Sequence, residues 1–167
     1  HTMDGNGWVG ELVFEDCEVP ADNVLGQVGF GFALAMHWIN DGRLNIGASS
    51  VGIAKRMLKI SLDYARQRVA FGQPISNYQL IQAMLADMAT EIFAAENMVY
   101  RAAWMKDQGI DIRKEAAMVK VYGAEMVNRA VDTAMQVHGG MGFMRETPIE
   151  HVMRRVRVFR IFEGTSE

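Results

Sequence analysis

The sequence predicts an all-α fold, an up-down four-helix bundle with a short β segment at its N-terminus. Three observations support this. Apolar residues recur at steps of three, four or seven over three long stretches, the spacing that lines one face of a packed helix. Only three prolines occur among 167 residues, so little interrupts a helix. Glycines and prolines fall between the periodic stretches, where short loops let successive helices pack as neighbours.

The N-terminal segment is the exception. Val9 to Val19 is rich in β-formers, with Leu12 and Phe14 alternating with Val13 and Glu15. Pro20, Asn23 and Gly26 then break the pattern. Residues 1–26 therefore read as a strand or two and a linker. So small a β piece is not stable alone, and it packs on the helices or belongs to a further domain.

The helical domain covers 27–167. Phe32, Met36, Ile39, Ile46, Ile53, Met57, Ile60 and Tyr64 mark the first helix, which ends before Gly72-Gln73-Pro74. Ile81, Leu85, Met88, Ile92, Ala95, Val99 and Ala102 mark the second, which stops near Gly109. The third runs from about Arg113 to His138, with Val121, Ala124, Val127, Val131 and Ala134 on one face. Gly139-Gly140 ends it. The fourth is shorter. Thr147 reads as its N-cap, Pro148 as its first residue and Glu150 as the partner in a capping box, and it continues through Val152 and Val156 toward Phe162.

Composition narrows the function. Half the residues are hydrophobic, ample for a core. The net charge of −3 gives no electrostatic reason to expect a nucleic acid. Cys17 is the only cysteine, which excludes an intrachain disulfide and fits a reducing compartment. His1, His37, His138 and His151 lack metal-ligand spacing, so no metal is expected. No apolar run reaches the ~18 residues of a membrane span, and no targeting segment is visible. His1-Thr2-Met3 lacks an initiator context, and Gly164-Thr165-Ser166-Glu167 reads as a helix start with nothing after it. Both ends thus read as cuts in a longer chain.

Several residues break the amphipathic pattern, and each admits two readings. Arg43 lies on the apolar stripe of the first helix, either as a buried or snorkelling cation or as part of a site. Arg66-Gln67-Arg68-Val69-Ala70-Phe71-Gly72-Gln73-Pro74 is either a basic helix end favoured by the dipole or an anion clamp. Gln136-Val137-His138-Gly139-Gly140-Met141-Gly142-Phe143 either ends a helix or lets a backbone approach a ligand. Arg154, Arg155, Arg157 and Arg160 read as the wet side of the fourth helix. Glu163, after Ile161-Phe162, is either a surface glutamate or a partly desolvated general base.

Three segments, in order, resemble the acyl-CoA dehydrogenase family. They are Leu12-Val13-Phe14-Glu15-Asp16 through Gly26, then Arg68-x-x-Phe71-Gly72-Gln73-Pro74-Ile75 with Tyr78-Gln79 and Leu85-Ala86-Asp87-Met88, then Gln136-x-x-Gly139-Gly140-x-Gly142-Phe143 with Arg154 and Ile161-Phe162-Glu163-Gly164-Thr165-Ser166. The resemblance covers nearly the whole chain. It implies that residues 1–26 end a middle β domain and that 27–167 form a C-terminal helical domain lacking its last helix.

The resemblance also implies an activity: FAD-dependent α,β-dehydrogenation of an acyl-CoA, with Glu163 as catalytic base. A minority of the family carries the base at the position of Gly42, where glycine cannot serve. Arg68, Phe71, Tyr78 and Gln79 match FAD-contacting positions. So do Gln136, Val137, His138, Gly139 and Gly140, in contacts that reach the flavin of a neighbouring subunit. Thr165 and Glu167 match further FAD positions, with Glu167 replacing a common glutamine. Asn40, Asp41, Gly42, Arg43 and Gly164 match the acyl-CoA site. The implied partners are an electron-transferring flavoprotein and further copies of the chain, as dimer or tetramer. The implied compartment is the cytoplasm of a bacterium or the mitochondrial matrix of a eukaryote. The competing reading is a helical oligomerisation module without catalysis. A helical adaptor unrelated to flavin leaves Glu163-Gly164-Thr165 and Arg68-x-x-Phe71 unexplained.

Overall fold

The computed structural model describes residues 2, 3, 5 and 9–167. Three long helices, α1 (Gly31–Gln67), α2 (Gln79–Asp107) and α3 (Arg113–His138), are followed by the shorter α4 (Pro148–Val156). A two-stranded antiparallel hairpin, β1 (Val69–Ala70) and β2 (Gln73–Pro74), sits between α1 and α2, with Val69 opposite Pro74 and Ala70 opposite Gln73. Turns of 3-10 helix follow α3 (Gly139–Phe143) and α4 (Arg157–Arg160). No helix among the described residues is long and apolar enough to cross a membrane.

The helices alternate in direction. Asp41 pairs with Lys106 and Lys55 with Glu96, so α2 runs back along α1. Gly47 lies against Val119 and Tyr64 against His138, so α3 runs with α1. Asn128 donates to the Val156 carbonyl at 3.2 Å, which brings α4 back along α3. The predicted up-down bundle forms. Its core holds Met57, Met126, Val127, Val131 and Ile149, all essentially inaccessible. Each such aliphatic side chain contributes roughly 1.5–3 kcal/mol by leaving water.

The buried face of α1 differs from the predicted stripe. Gly47, Ser50, Val51, Ala54, Met57, Ser61 and Ala65 form it, while Ile46, Ile53 and Ile60 are only half-buried and Phe32 is exposed. Small residues win this face because α1 and α3 approach closely. A Cβ on Gly123 would lie 3.1 Å from the Gly47 Cα. In α3 the register also differs by one position at its start: Val121 is 39% exposed and Lys120 is 2% exposed.

Two further expectations are corrected. No strand forms over Val9 to Val19; the chain there is irregular, and Val9, Leu12, Val13, Phe14 and Val19 are exposed. A strand needs a hydrogen-bonding neighbour, and no described segment pairs with this one. The capping box is not made either. The Thr147 hydroxyl donates to the Met141 and Met144 carbonyls, each at 3.1 Å, and Glu150 pairs with Arg154 at 3.0 Å. Arg160 likewise pairs with Glu125 at 2.7 Å, so half of the arginine run is tied down rather than simply wet.

The turn after α3 depends on Gly142. A Cβ there would lie 2.5 Å from the Met135 carbonyl oxygen and 2.9 Å from its Cα. Main chain cannot rotate aside, so Gly142→Ala is expected to cost about 3 kcal/mol, the upper range of overpacking. The midpoint of urea unfolding reads this; an unchanged midpoint would mean that the turn shifts freely.

Candidate active site

The first group of site residues gathers where the C-terminal turn crosses the early part of α1. Glu163 has φ +56° and Gly164 φ +93°. A left-handed non-glycine residue is strained by roughly 1–3 kcal/mol and persists only where its surroundings impose it. The surroundings here are two cations. Arg43 Nε donates to the Glu163 carbonyl at 3.1 Å, and Lys120 Nζ donates to the Gly164 carbonyl at 2.5 Å. The Ser166 amide closes the turn on the Arg160 carbonyl at 3.0 Å. Arg43 thus neither forms a buried ion pair nor merely snorkels: its guanidinium holds main chain and, at 3.4 Å, the Asn40 side chain.

The Glu163 carboxylate, on a half-buried residue, lies over Gly42. A Cβ on Gly42 would be 2.6 Å from Oε1 and 2.9 Å from Oε2. The glycine in α1 is therefore what gives the carboxylate its place. Asn40 and Asp41 line a cavity of about 650 Å³ with Met36, His37 and Lys106. Asp41 is engaged by Lys106 at 2.5 Å, so it also ties α1 to α2.

Electrostatics follow the packing. Burial, and then the Arg43 charge, push the Lys120 ammonium below its ordinary pKa, against the opposing pull of Glu125, Glu167 and Glu163. Burial alone would raise the Glu125 carboxyl, but the hydrogen bond from Arg160, with the charges of Arg160 and Arg129, holds it below the usual range.

The second group lies at the other end of α1. Phe71 and Gly72 form the two-residue hairpin loop, both with positive φ (+53° and +87°), the turn whose twist suits paired strands. Phe71 is 98% exposed at this tip. The Tyr78 hydroxyl braces the loop by donating to the Ala70 carbonyl at 2.8 Å. Phe71, Tyr78 and Gln79 border one apolar groove. Arg68 borders an adjacent groove of about 630 Å³ with Gln136, Val137, His138, Gly139 and Gly140. Its guanidinium is exposed and has no acidic partner among the described residues. His138 is buried, with Nδ1 2.8 Å from the Ala134 carbonyl and its ring stacked on Tyr64 at 4.3 Å, the arrangement of a structural histidine. A Cβ on Gly139 or Gly140 would meet nothing within 4 Å, so the backbone there is open to a ligand.

The two groups are far apart. Gly42 and Gln67 belong to one helix, and twenty-five residues at ~1.5 Å each separate them by about 38 Å. Thr165 and Glu167, both exposed, lie with Glu163 rather than with Arg68. Lys120 is the site residue that the apolar pattern missed. Its signal was present, since Ala116, Lys120 and Ala124 recur every fourth residue on the buried face of α3.

Residues 29–167 match the family of the acyl-CoA dehydrogenase C-terminal domain. The chain is 47% identical over 157 residues to the probable acyl-CoA dehydrogenase YngJ of Bacillus subtilis, covering 94% of this chain and 41% of that protein. The structure of butyryl-CoA dehydrogenase from Megasphaera elsdenii aligns with a TM-score of 0.89 at 40% identity, over 92% of this chain and 40% of that one. An acyl-CoA dehydrogenase from Bacillus anthracis, in complex with FAD, aligns at 0.87 and 39% identity, over 92% of this chain and 30% of that one. The chain thus spans about two fifths or less of the length of these relatives. By this match over most of its length, the chain belongs to the acyl-CoA dehydrogenase family and corresponds to its C-terminal helical domain.

Proposed function

We propose that this chain supplies the catalytic base and part of the cofactor surface of an FAD-dependent acyl-CoA dehydrogenase. The observation that carries the reading is Glu163, held in a left-handed turn with its carboxylate over a residue that has no side chain. Such a carboxylate is pre-positioned, which is what proton abstraction from a weakly acidic carbon needs. In this reading Glu163 takes the proton from the carbon α to the thioester carbonyl. The carbonyl then gathers enolate charge, which backbone N–H groups such as that of Glu163 can stabilise. Bound FAD supplies the acceptor for the two electrons that leave with the β-hydrogen.

The residues present fit such a cofactor. An Arg68 with no acidic partner among the described residues, an open Gly139–Gly140 backbone and the exposed Phe71 ring suit an anionic, aromatic dinucleotide. Arg68, Phe71, Tyr78, Gln79 and the Gln136–Gly140 segment would hold one copy of it, and Thr165 and Glu167 would contact another near Glu163. The roughly 38 Å between the groups supports this division, and with it a homo-oligomer in which each chain serves two flavins. The exposed Leu12, Phe14, Phe30, Phe32 and Trp38 offer apolar surface for the rest of such an assembly to cover. Reduced flavin would pass electrons to an electron-transferring flavoprotein, in a bacterial cytoplasm or a mitochondrial matrix.

The test uses the full protein that carries this domain. It is expected to purify yellow and to lose its flavin absorbance when an acyl-CoA is added anaerobically. A colourless, defined oligomer that binds no FAD would overturn the reading and leave an oligomerisation module.

A further inference from the structure

We infer that Lys120 is a positioning residue for the Glu163 base, its buried ammonium fixing the turn from beneath through the Gly164 carbonyl. The inference rests on the function proposed above. Lys120 projects from the buried face of α3, between Ala116 and Ala124, and its residue is 2% exposed. A lysine so enclosed is rare because desolvating an ammonium is costly. A methionine would fill similar volume without that cost, so packing does not account for the charge. What the charge does is visible in its one hydrogen bond, to main chain of the C-terminal turn.

That bond acts together with the one from Arg43. Consecutive carbonyls, of Glu163 and Gly164, are each taken by a cation from a different helix, α1 and α3. The two donors approach from α1 and α3, helices packed at glycine contact near Gly47 and Gly123. The turn is thereby tied to α1 and α3 close to where their backbones approach at Gly47 and Gly123. Glu163 keeps its φ of +56° because its own carbonyl and that of the next residue, Gly164, are both held. The carboxylate position over Gly42 follows from that backbone, not from any cation paired with the carboxylate itself, for which no described partner lies within ion-pair distance.

The full enzyme with FAD, carrying Lys120→Met, tests this. The expected result is a kcat lowered about 10- to 100-fold, the scale of a misplacement near 1 Å, with KM and flavin content near wild type. The isotope effect on an α-deuterated acyl-CoA is expected to rise, because proton removal becomes limiting. Backbone amides of 160–167 are expected to exchange faster, while Tm stays level or rises. Lys120→Gln, which keeps a donor on a shorter stem, is expected to recover part of the rate. Wild-type kcat and wild-type exchange in Lys120→Met would overturn the inference. So would a fall in Tm and flavin content that parallels the fall in kcat in both variants, which would make Lys120 structural. Glu163→Gln is run beside them: if it turns over normally, the proposed function itself fails, whereas an inactive Glu163→Gln with a normal Lys120→Met removes only the role of Lys120.

Discussion

Glu163→Gln is expected to lower turnover about 10³-fold, within the usual span for loss of a general base, while FAD binding and oligomeric state stay as in wild type. The reasons are local. Glutamine has the volume of glutamate, so the half-buried site stays filled. Its amide cannot take a proton from carbon. Arg43 and Lys120 hold the carbonyls of Glu163 and Gly164, not the carboxylate. The turn therefore survives the substitution, and the variant isolates chemistry from positioning. The measurement is steady-state turnover of an acyl-CoA with an artificial electron acceptor, alongside flavin absorbance. Normal turnover would sink the assignment of the base.

Much of the fold was legible because hydrophobic periodicity reports burial directly. In α2 five of the seven predicted residues, Leu85, Met88, Ile92, Ala95 and Ala102, are buried, while Ile81 and Val99 are half-buried beside them. In α1 the same signal pointed to isoleucines that sit on the shoulders, because the contact with α3 is built on Gly47, Ser50 and Ala54. Small residues carry little hydrophobicity, yet they set how near two backbones come. The start of α3 was misread for the opposite reason. A lysine in the stripe looks like solvent, yet Lys120 is interior, its ammonium bonded to the turn that crosses α3. The irregular N-terminal segment has β composition, but strand formation is a property of pairs, and its partner is not in the described chain.

The site was legible in a different way. Glu163 alone is indistinguishable from a surface glutamate, and the family resemblance gave it a role. The structure adds its placement over Gly42, a residue of α1 that no local pattern connects to it. The FAD-matching residues of the hairpin and of the end of α3 share one end of the bundle. Nothing local to the sequence indicated that Thr165 and Glu167 would lie at the other end. That separation follows from the length of α1, which three-dimensional packing alone turns into distance.

Gly42→Ala is expected to damage catalysis without damaging the fold. The added Cβ would come within 2.6–2.9 Å of all three carboxyl atoms of Glu163. One of the two must move. Gly42 is part of a helix of thirty-seven residues, whereas the carboxyl is the free end of a flexible side chain. The carboxylate therefore gives way. Within α1, alanine in place of glycine removes backbone entropy from the unfolded chain, worth up to about 1 kcal/mol in favour of the folded one. Thermal stability is thus expected to hold or rise. Turnover is expected to fall about 100-fold, since a base displaced by roughly 1 Å loses its aligned approach to the α-carbon. The pair of readouts is diagnostic: if turnover is unchanged, Glu163 works from a position other than the one over Gly42. If stability and turnover fall together, it is α1 and not the side chain that yields.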